Sequence, residues 1–192
     1  MARRQSLMLP LGTAAPSFVL PDTVRARTVA LEDFAAAPAV LVAFLCNHCP
    51  FVRHILDGFL AFAREFGPRG IAIVAISSND VGDYPEDAPS EMGRLATLKG
   101  FPFPYLYDGS QQAARAYQAV CTPDFFLFDG DRRLVYRGQF DPSRPGNRIP
   151  VTGADLRAAA EALLAGRPVP AQQAPSVGCS IKWTAGQEPG WA

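Results

Sequence analysis

Two apolar runs of strand length flank an amphipathic helix, and no other feature of this chain restricts its fold as tightly. "APAVLVAFL" (37–45) is rich in Val and Leu, the composition of a strand covered on both faces. "PFVRHILDGFLAFAREFG" (50–67) then carries Phe51, Ile55, Phe59, Phe62 and Phe66 at helical spacing. Pro50 suits a first helical turn, where its missing N–H leaves no bond unmade, and Gly67-Pro68 stops the helix. "GIAIVAIS" (70–77) reads as a second buried strand. Strand, helix, strand predicts a parallel pair joined by a right-handed crossover.

The rest of the chain extends this unit. "NDVGDYPEDAP" (79–89) is a polar loop leading into a helix over "SEMGRLATLKG", and "FPFPYLYD" (101–108) is a short extended segment. "SQQAARAYQAV" (110–120) reads as a helix capped by Ser110. "DFFLFD" (124–129) and "RRLVYRGQ" (132–139) form a hairpin about Asp129-Gly130-Asp131, and "GADLRAAAEALLAG" (153–166) is a closing helix. The order predicts an α/β fold with a mixed central sheet flanked by helices. Residues 1–170 are expected to form one domain, and 171–192 an irregular, Pro- and Gly-rich tail carrying Cys179. A chain of 192 residues is long enough for one sizeable core, and 48% hydrophobic with 19% charged residues is globular composition.

Charge excludes some functions. Eighteen basic residues balance eighteen acidic ones, so no net field draws nucleic acid or an anionic membrane surface. Paired arginines open the chain, but Pro10 and Gly12 break the apolar stretch that an export signal needs over roughly 7–15 residues. No stretch approaches the about 20 apolar residues of a membrane span. A cytoplasmic protein is expected. Four cysteines are few for a disulfide-built scaffold, and a close pair in a reducing compartment points to redox chemistry or metal.

That pair is Cys46 and Cys49 in "VAFLCNHCPFV" (42–52). It sits on the approach to the helix that starts near Pro50, where unpaired N–H groups and partial positive charge stabilise a thiolate. Thiols in such settings have pKa values of about 3.5–7.5, against about 8.5 for a free cysteine. His48 between them tunes the pair as an imidazolium or carries a proton as a neutral ring. A filled-core reading and a soft-metal reading through sulfur and nitrogen stand beside the redox one. Structural zinc wants four ligands, whereas His54 lies inside the helix and Cys121 and Cys179 are isolated, so no metal and no other cofactor is expected. Glu86, Asp87, Asp141 and Arg144 fall in the loops "YPEDAP" and "QFDPSRPGN" and read as solvated charges without a catalytic role.

The strand-"CNHCP"-helix order, followed by "VCTPDFFLFD" (120–129), resembles the thioredoxin superfamily. The opening "LPLGTAAPSFVLPDT" with "VALEDF" is similar to the N-terminal hairpin of its peroxiredoxin-like branch, the alkyl hydroperoxide reductase and thiol-specific antioxidant group. "YRGQFDPSRPGN" and "GCSIKW" extend the likeness, which runs from about Leu9 to Trp183. The resemblance implies a thioredoxin-like fold in which Thr122-Pro123 forms a cis-proline loop against the pair and offers backbone to an extended substrate. It implies a thiol–disulfide oxidoreductase acting on protein or small-molecule disulfides, regenerated by a thiol reductant system. In thioredoxins the residue matching Cys46 attacks and that matching Cys49 resolves. In peroxiredoxins Cys49 matches the peroxidatic thiol, and Cys46 stands where a Thr or Ser hydroxyl belongs; peroxide is then the substrate, and Arg137 or Arg144 is a candidate to polarise it. A metal-binding or redox-sensing module is a third alternative. The buried acid of thioredoxins falls near Val40, which leaves His48 as first candidate for proton acceptor. Cys121 and Cys179 are candidate auxiliary thiols; small residues around Cys179 suggest an accessible sulfur, and burial as an anchor is the competing reading.

Overall fold

The computed structural model describes residues 3–191; positions 1, 2 and 192, the outermost residues of the two expected segments, lie outside it. The strands are β1 (Arg3–Gln5), β2 (Val19–Pro21), β3 (Thr28–Ala30), β4 (Ala39–Phe44), β5 (Ile71–Ser77), β6 (Tyr105–Tyr107), β7 (Cys121–Thr122), β8 (Asp124–Phe128), β9 (Leu134–Gly138) and β10 (Val177–Ser180). The helices are α1 (Pro50–Phe66), α2 (Pro89–Lys99), α3 (Gln112–Ala116) and α4 (Ala154–Leu164). Five strands make the central sheet in the order β6-β5-β4-β8-β9. β4, β5 and β6 run parallel, while β8 is antiparallel to both β4 and β9, which gives the expected mixed sheet.

Strand alternation divides the core in two. Leu41 and Ala43 of β4 face one side with Phe59, Phe62 and Phe66 of α1 and Leu156 of α4. Val40, Val42 and Phe44 face the other, against Leu9, Phe18, Val29 and Tyr117. The β2–β3 hairpin is the predicted N-terminal one. Gly100, in the left-handed region at φ 62°, ends α2 as glycine can without a Cβ clash. Among the described residues no helix is long and apolar enough to cross a membrane.

Two local expectations differ. The helix after Gly109 is only Gln112–Ala116, and its capping position is Gln111 rather than Ser110. Asp108 takes the capping work, accepting from the Ala114 amide at 3.0 Å and the Ser110 hydroxyl at 3.2 Å. The C-terminal segment, expected to be irregular, contains β10, which lies between β1 and β7 in a separate three-stranded sheet.

Candidate active site

β4 delivers Cys46 and α1 begins at once behind Cys49. Leu45 prolongs the sheet through its N–H to the Ile76 carbonyl (2.9 Å); Cys49 is the residue before Pro50, and its carbonyl accepts from Arg53 N–H at 3.0 Å. Both sulfurs are free thiols and both residues are buried, 1% and 0% exposed. The cis Thr122-Pro123 bond brings the expected loop against them. Thr122 Oγ1 lies 3.2 Å from Cys46 Sγ, and Cys49 Sγ lies 3.2 Å from the Thr122 carbonyl oxygen. The loop's strand edge is not free, however: β10 pairs along it, with Cys179 opposite Thr122 and Ser180 opposite Cys121. A groove of about 1030 Å3 is lined by Cys46 and Asn47 together with Val52 and Leu56 of α1 and Leu95 and Leu98 of α2.

The two residues between the cysteines are held by an aspartate that sequence reasoning assigned to solvent. Asp87 has no exposed surface. Its Oδ1 accepts from the Asn47 amide (2.7 Å) and the His48 amide (3.1 Å); its Oδ2 accepts from Asn79 Nδ2 (2.7 Å) and His48 Nδ1 (2.5 Å). Burial pushes the Asp87 carboxyl up, but the bonds from His48 and Asn79 outweigh it and leave the group below its usual range. It is therefore a carboxylate, and His48 Nδ1 carries the proton between them. The His48 ring stacks on Tyr84 at 4.9 Å between centroids, and its buried Nε2 has no partner among the described residues. His48 is thus a fixed, mostly covered ring rather than a solvated loop residue. Asn47 is tied down further by Glu86 O, Tyr105 OH and Arg53 Nε. Donor atoms of Cys46, His48 and Asp87 lie within 4.8 Å of one another, but those of His48 and Asp87 already bond each other.

A model of the AhpC/TSA family matches residues 11–137, two-thirds of the chain, including the Cys46–Cys49 loop and Thr122-Pro123. The chain belongs to the AhpC/TSA family. Among solved structures, an uncharacterized conserved protein of Geobacillus kaustophilus is 52% identical at a TM-score of 0.94, covering 96% of this chain and 98% of its own. A putative thiol:disulfide interchange protein DsbE of Chlorobium tepidum is 22% identical at 0.62, covering 81% and 99%. The peroxidoxin BcpB of Mycobacterium tuberculosis is 20% identical at 0.59, covering 81% and 96%. The last two share the thioredoxin-like fold. No curated protein matches the chain.

Within this AhpC/TSA site the thiols differ in ionisation. Hydrogen bonding from the Cys46 thiol lowers Cys49 to about 5 against the opposing effect of burial, with help from the Cys179 thiol and the Val52 amide. Burial pushes Cys46 well up, and its hydrogen bond to Cys49 and the Asp87 charge add to that. Burial likewise raises Cys121, whose sulfur turns to the Pro123 carbonyl at 3.9 Å. Cys179 is 4% exposed, so its sulfur is covered rather than accessible; burial, then hydrogen bonding to Cys49, raises it to about 12.

The two candidate arginines are engaged elsewhere. Arg137 donates to the Leu9 carbonyl (2.9 Å) and to Gln173 Oε1 (2.7 Å). Arg144 donates to the carbonyls of Asp141 (2.5 Å) and Ser143 (2.7 Å) and to Gln139 Oε1. Asp141, also assigned to solvent, is fully buried and accepts from the amides of Ser143, Thr152 and Gly153. Sequence reasoning missed both aspartates because all three partners of Asp141 and half of those of Asp87 are backbone amides, which leave no residue signature; Asp87 in particular reaches a loop some forty positions upstream.

Proposed function

We propose that this AhpC/TSA protein is a cytoplasmic thiol–disulfide oxidoreductase that exchanges a Cys46–Cys49 dithiol for the disulfide of a protein or small molecule, with a thiol reductant system returning it to the dithiol. The observation that carries this reading is Thr122, whose hydroxyl and carbonyl each lie 3.2 Å from one sulfur of the pair, with Cys46 but not Cys49 among the residues lining the groove. A substrate disulfide entering the groove meets Cys46. Cys46 gives its proton to the Cys49 thiolate and attacks, so a Cys46–substrate bond forms and the first substrate sulfur leaves, taking that proton. Cys49, ionised again, then attacks Cys46 Sγ; the intramolecular disulfide forms and the second substrate sulfur leaves as thiolate. The low Cys49 pKa keeps that sulfur ionised for the resolving step; toward the more weakly acidic Cys46 it is a weak base, so the proton passes through Cys49 to the leaving sulfur as the attack proceeds. His48 acts by position: clamped to Asp87, it fixes the loop that sets the spacing of the two sulfurs. Thr122 and Pro123 align the pair, and because β10 occupies their edge the substrate is received in the groove.

A thiol peroxidase using Cys49 is the second reading, favoured by the ionisation of that thiol near pH 5. The guanidinium groups of Arg137 and Arg144 bond carbonyls and glutamines instead of the pair, which weighs against it. Stopped-flow oxidation of the reduced protein by a model protein disulfide and by hydrogen peroxide separates the two. Fast disulfide exchange that falls to background in Cys46→Ser and in Cys49→Ser, with slow peroxide reaction, is expected. Rapid peroxide consumption that survives Cys46→Ser and vanishes in Cys49→Ser overturns the first reading in favour of the second.

A further inference from the structure

β10 brings a third thiol to the pair. It lies antiparallel between β1 and β7, with Cys179 opposite Arg3 on one side and Thr122 on the other. Thr122 is the residue that touches both Cys46 Sγ and Cys49 Sγ, so three thiols surround one threonine. The close approach depends on the neighbouring glycine: a Cβ on Gly178 would stand 1.9 Å from the Thr122 carbonyl oxygen. α1 packs on β10, and Cys46, Cys49 and Cys179 share one buried cluster. The side chain and backbone of Cys179 are among the groups that lower the Cys49 pKa. The strand edge expected to receive an extended substrate is therefore filled by the chain's own strand, and that strand carries a cysteine.

We infer that Cys179 is a third redox thiol, which takes the disulfide over from Cys46 by bonding to Cys49; this rests on the redox reading of the Cys46–Cys49 pair. In the step, Cys179 loses its thiol proton and its sulfur attacks Cys49 Sγ. The Cys46–Cys49 bond breaks, its electron pair stays on Cys46, and Cys46 takes up the proton that Cys179 released. One disulfide is exchanged for another, with no outside oxidant or reductant. Burial raises the pKa of both Cys46 and Cys179. The exchange thus passes a proton between two weakly acidic thiols and leaves no new charge in the core. Its consequence is a division of labour: Cys46 returns to the groove as a thiol, while the oxidising equivalent is held at Cys49–Cys179, away from substrate.

The test oxidises the whole protein with diamide, which removes two electrons and two protons from a thiol pair. The reaction is quenched with acid, the remaining thiols are alkylated in denaturant, and the disulfide linkages are mapped by peptide mass spectrometry. Wild type is expected to yield both Cys46–Cys49 and Cys49–Cys179 peptides. Cys46→Ser should lose two of its three remaining thiols to a Cys49–Cys179 bond, and Cys179→Ser should yield only Cys46–Cys49. A folded Cys46→Ser protein whose Cys179 stays alkylated overturns the inference. So does a wild type that forms Cys46–Cys49 without any Cys49–Cys179, a result that stands even where Cys46→Ser does not fold. Failure of wild type and Cys179→Ser alike to form Cys46–Cys49 overturns the pair reading itself, and the inference with it.

Discussion

In the loop after β5, Asp87 accepts four hydrogen bonds from full burial; in the loop after β9, Asp141 accepts three from equally full burial. Both loops are polar and contain proline, and their only regular structure is a single 3-10 turn, Pro85–Asp87, before α2. The partners differ. Asp141 binds amides of its own loop and of the approach to α4, at Ser143, Thr152 and Gly153, and so closes a local knot at a helix N-terminus, where a negative charge is favoured. Asp87 reaches back to Asn47 and His48, the two residues between the cysteines. One carboxylate secures a connection; the other holds the loop between the two cysteines. A buried acid is thus a poor indicator of function until its partners are known.

The largest effects should come from removing each carboxylate. Asp87→Ala leaves the amides of Asn47 and His48, the His48 Nδ1–H and the Asn79 side chain without their acceptor. Asp141→Ala strands three amides in the same way. Each unpaired buried donor costs about 1–3 kcal/mol before relaxation, so both variants should lose roughly 3 kcal/mol in denaturant unfolding. Disulfide exchange per folded molecule should separate them. It should fall on the order of 10²-fold in Asp87→Ala, the cost of an about 1 Å misplacement of reacting groups, and stay near wild type in Asp141→Ala. Equal losses of exchange in the two would erase the distinction drawn here.

The same contrast explains what the sequence disclosed. β4, α1 and β5 were legible because hydrophobic spacing switches from continuous to helical and back, and Asp129-Gly130-Asp131 marked the β8–β9 turn. The cysteine pair was legible as a short motif at a helix approach, and Thr122-Pro123 through the resemblance to the thioredoxin superfamily. Asp87 and Asp141 were not, since a charged residue in a loop looks the same whether water or distant amides surround it. β10 was hidden for a related reason. Four residues, "VGCS", gain their strand character from Arg3–Gln5 and Cys121–Thr122, far away in the chain.

A smaller effect follows from the ionisation of Asp87. Its folded-state pKa lies below the ordinary carboxylate value, so the unfolded chain binds the proton first as pH falls. The stability its charge contributes is complete above the unfolded value of about 3.9 and is lost as pH drops through the lower folded value. Asp87→Asn has no such titration. Unfolding free energies of wild type and Asp87→Asn, measured from neutral to acid pH, should therefore differ most above about pH 4 and converge below it. Parallel curves would mean that Asp87 does not hold its neighbours as a carboxylate.

The smallest effect belongs to Tyr84, whose ring covers His48 at 4.9 Å and lies beneath Lys182 Nζ at 5.4 Å. Stacked aromatic pairs contribute about 0.5–1.5 kcal/mol beyond area burial, and Tyr84→Leu should lower stability by about that amount. Exchange should change far less than in Asp87→Ala, because the His48–Asp87 bond and both loop amide bonds remain. A Tyr84→Leu protein as slow in exchange as Asp87→Ala would shift the positioning role from the carboxylate beneath the loop to the ring above it. The two aspartate loops would then differ by their aromatic cover rather than by the reach of their carboxylates.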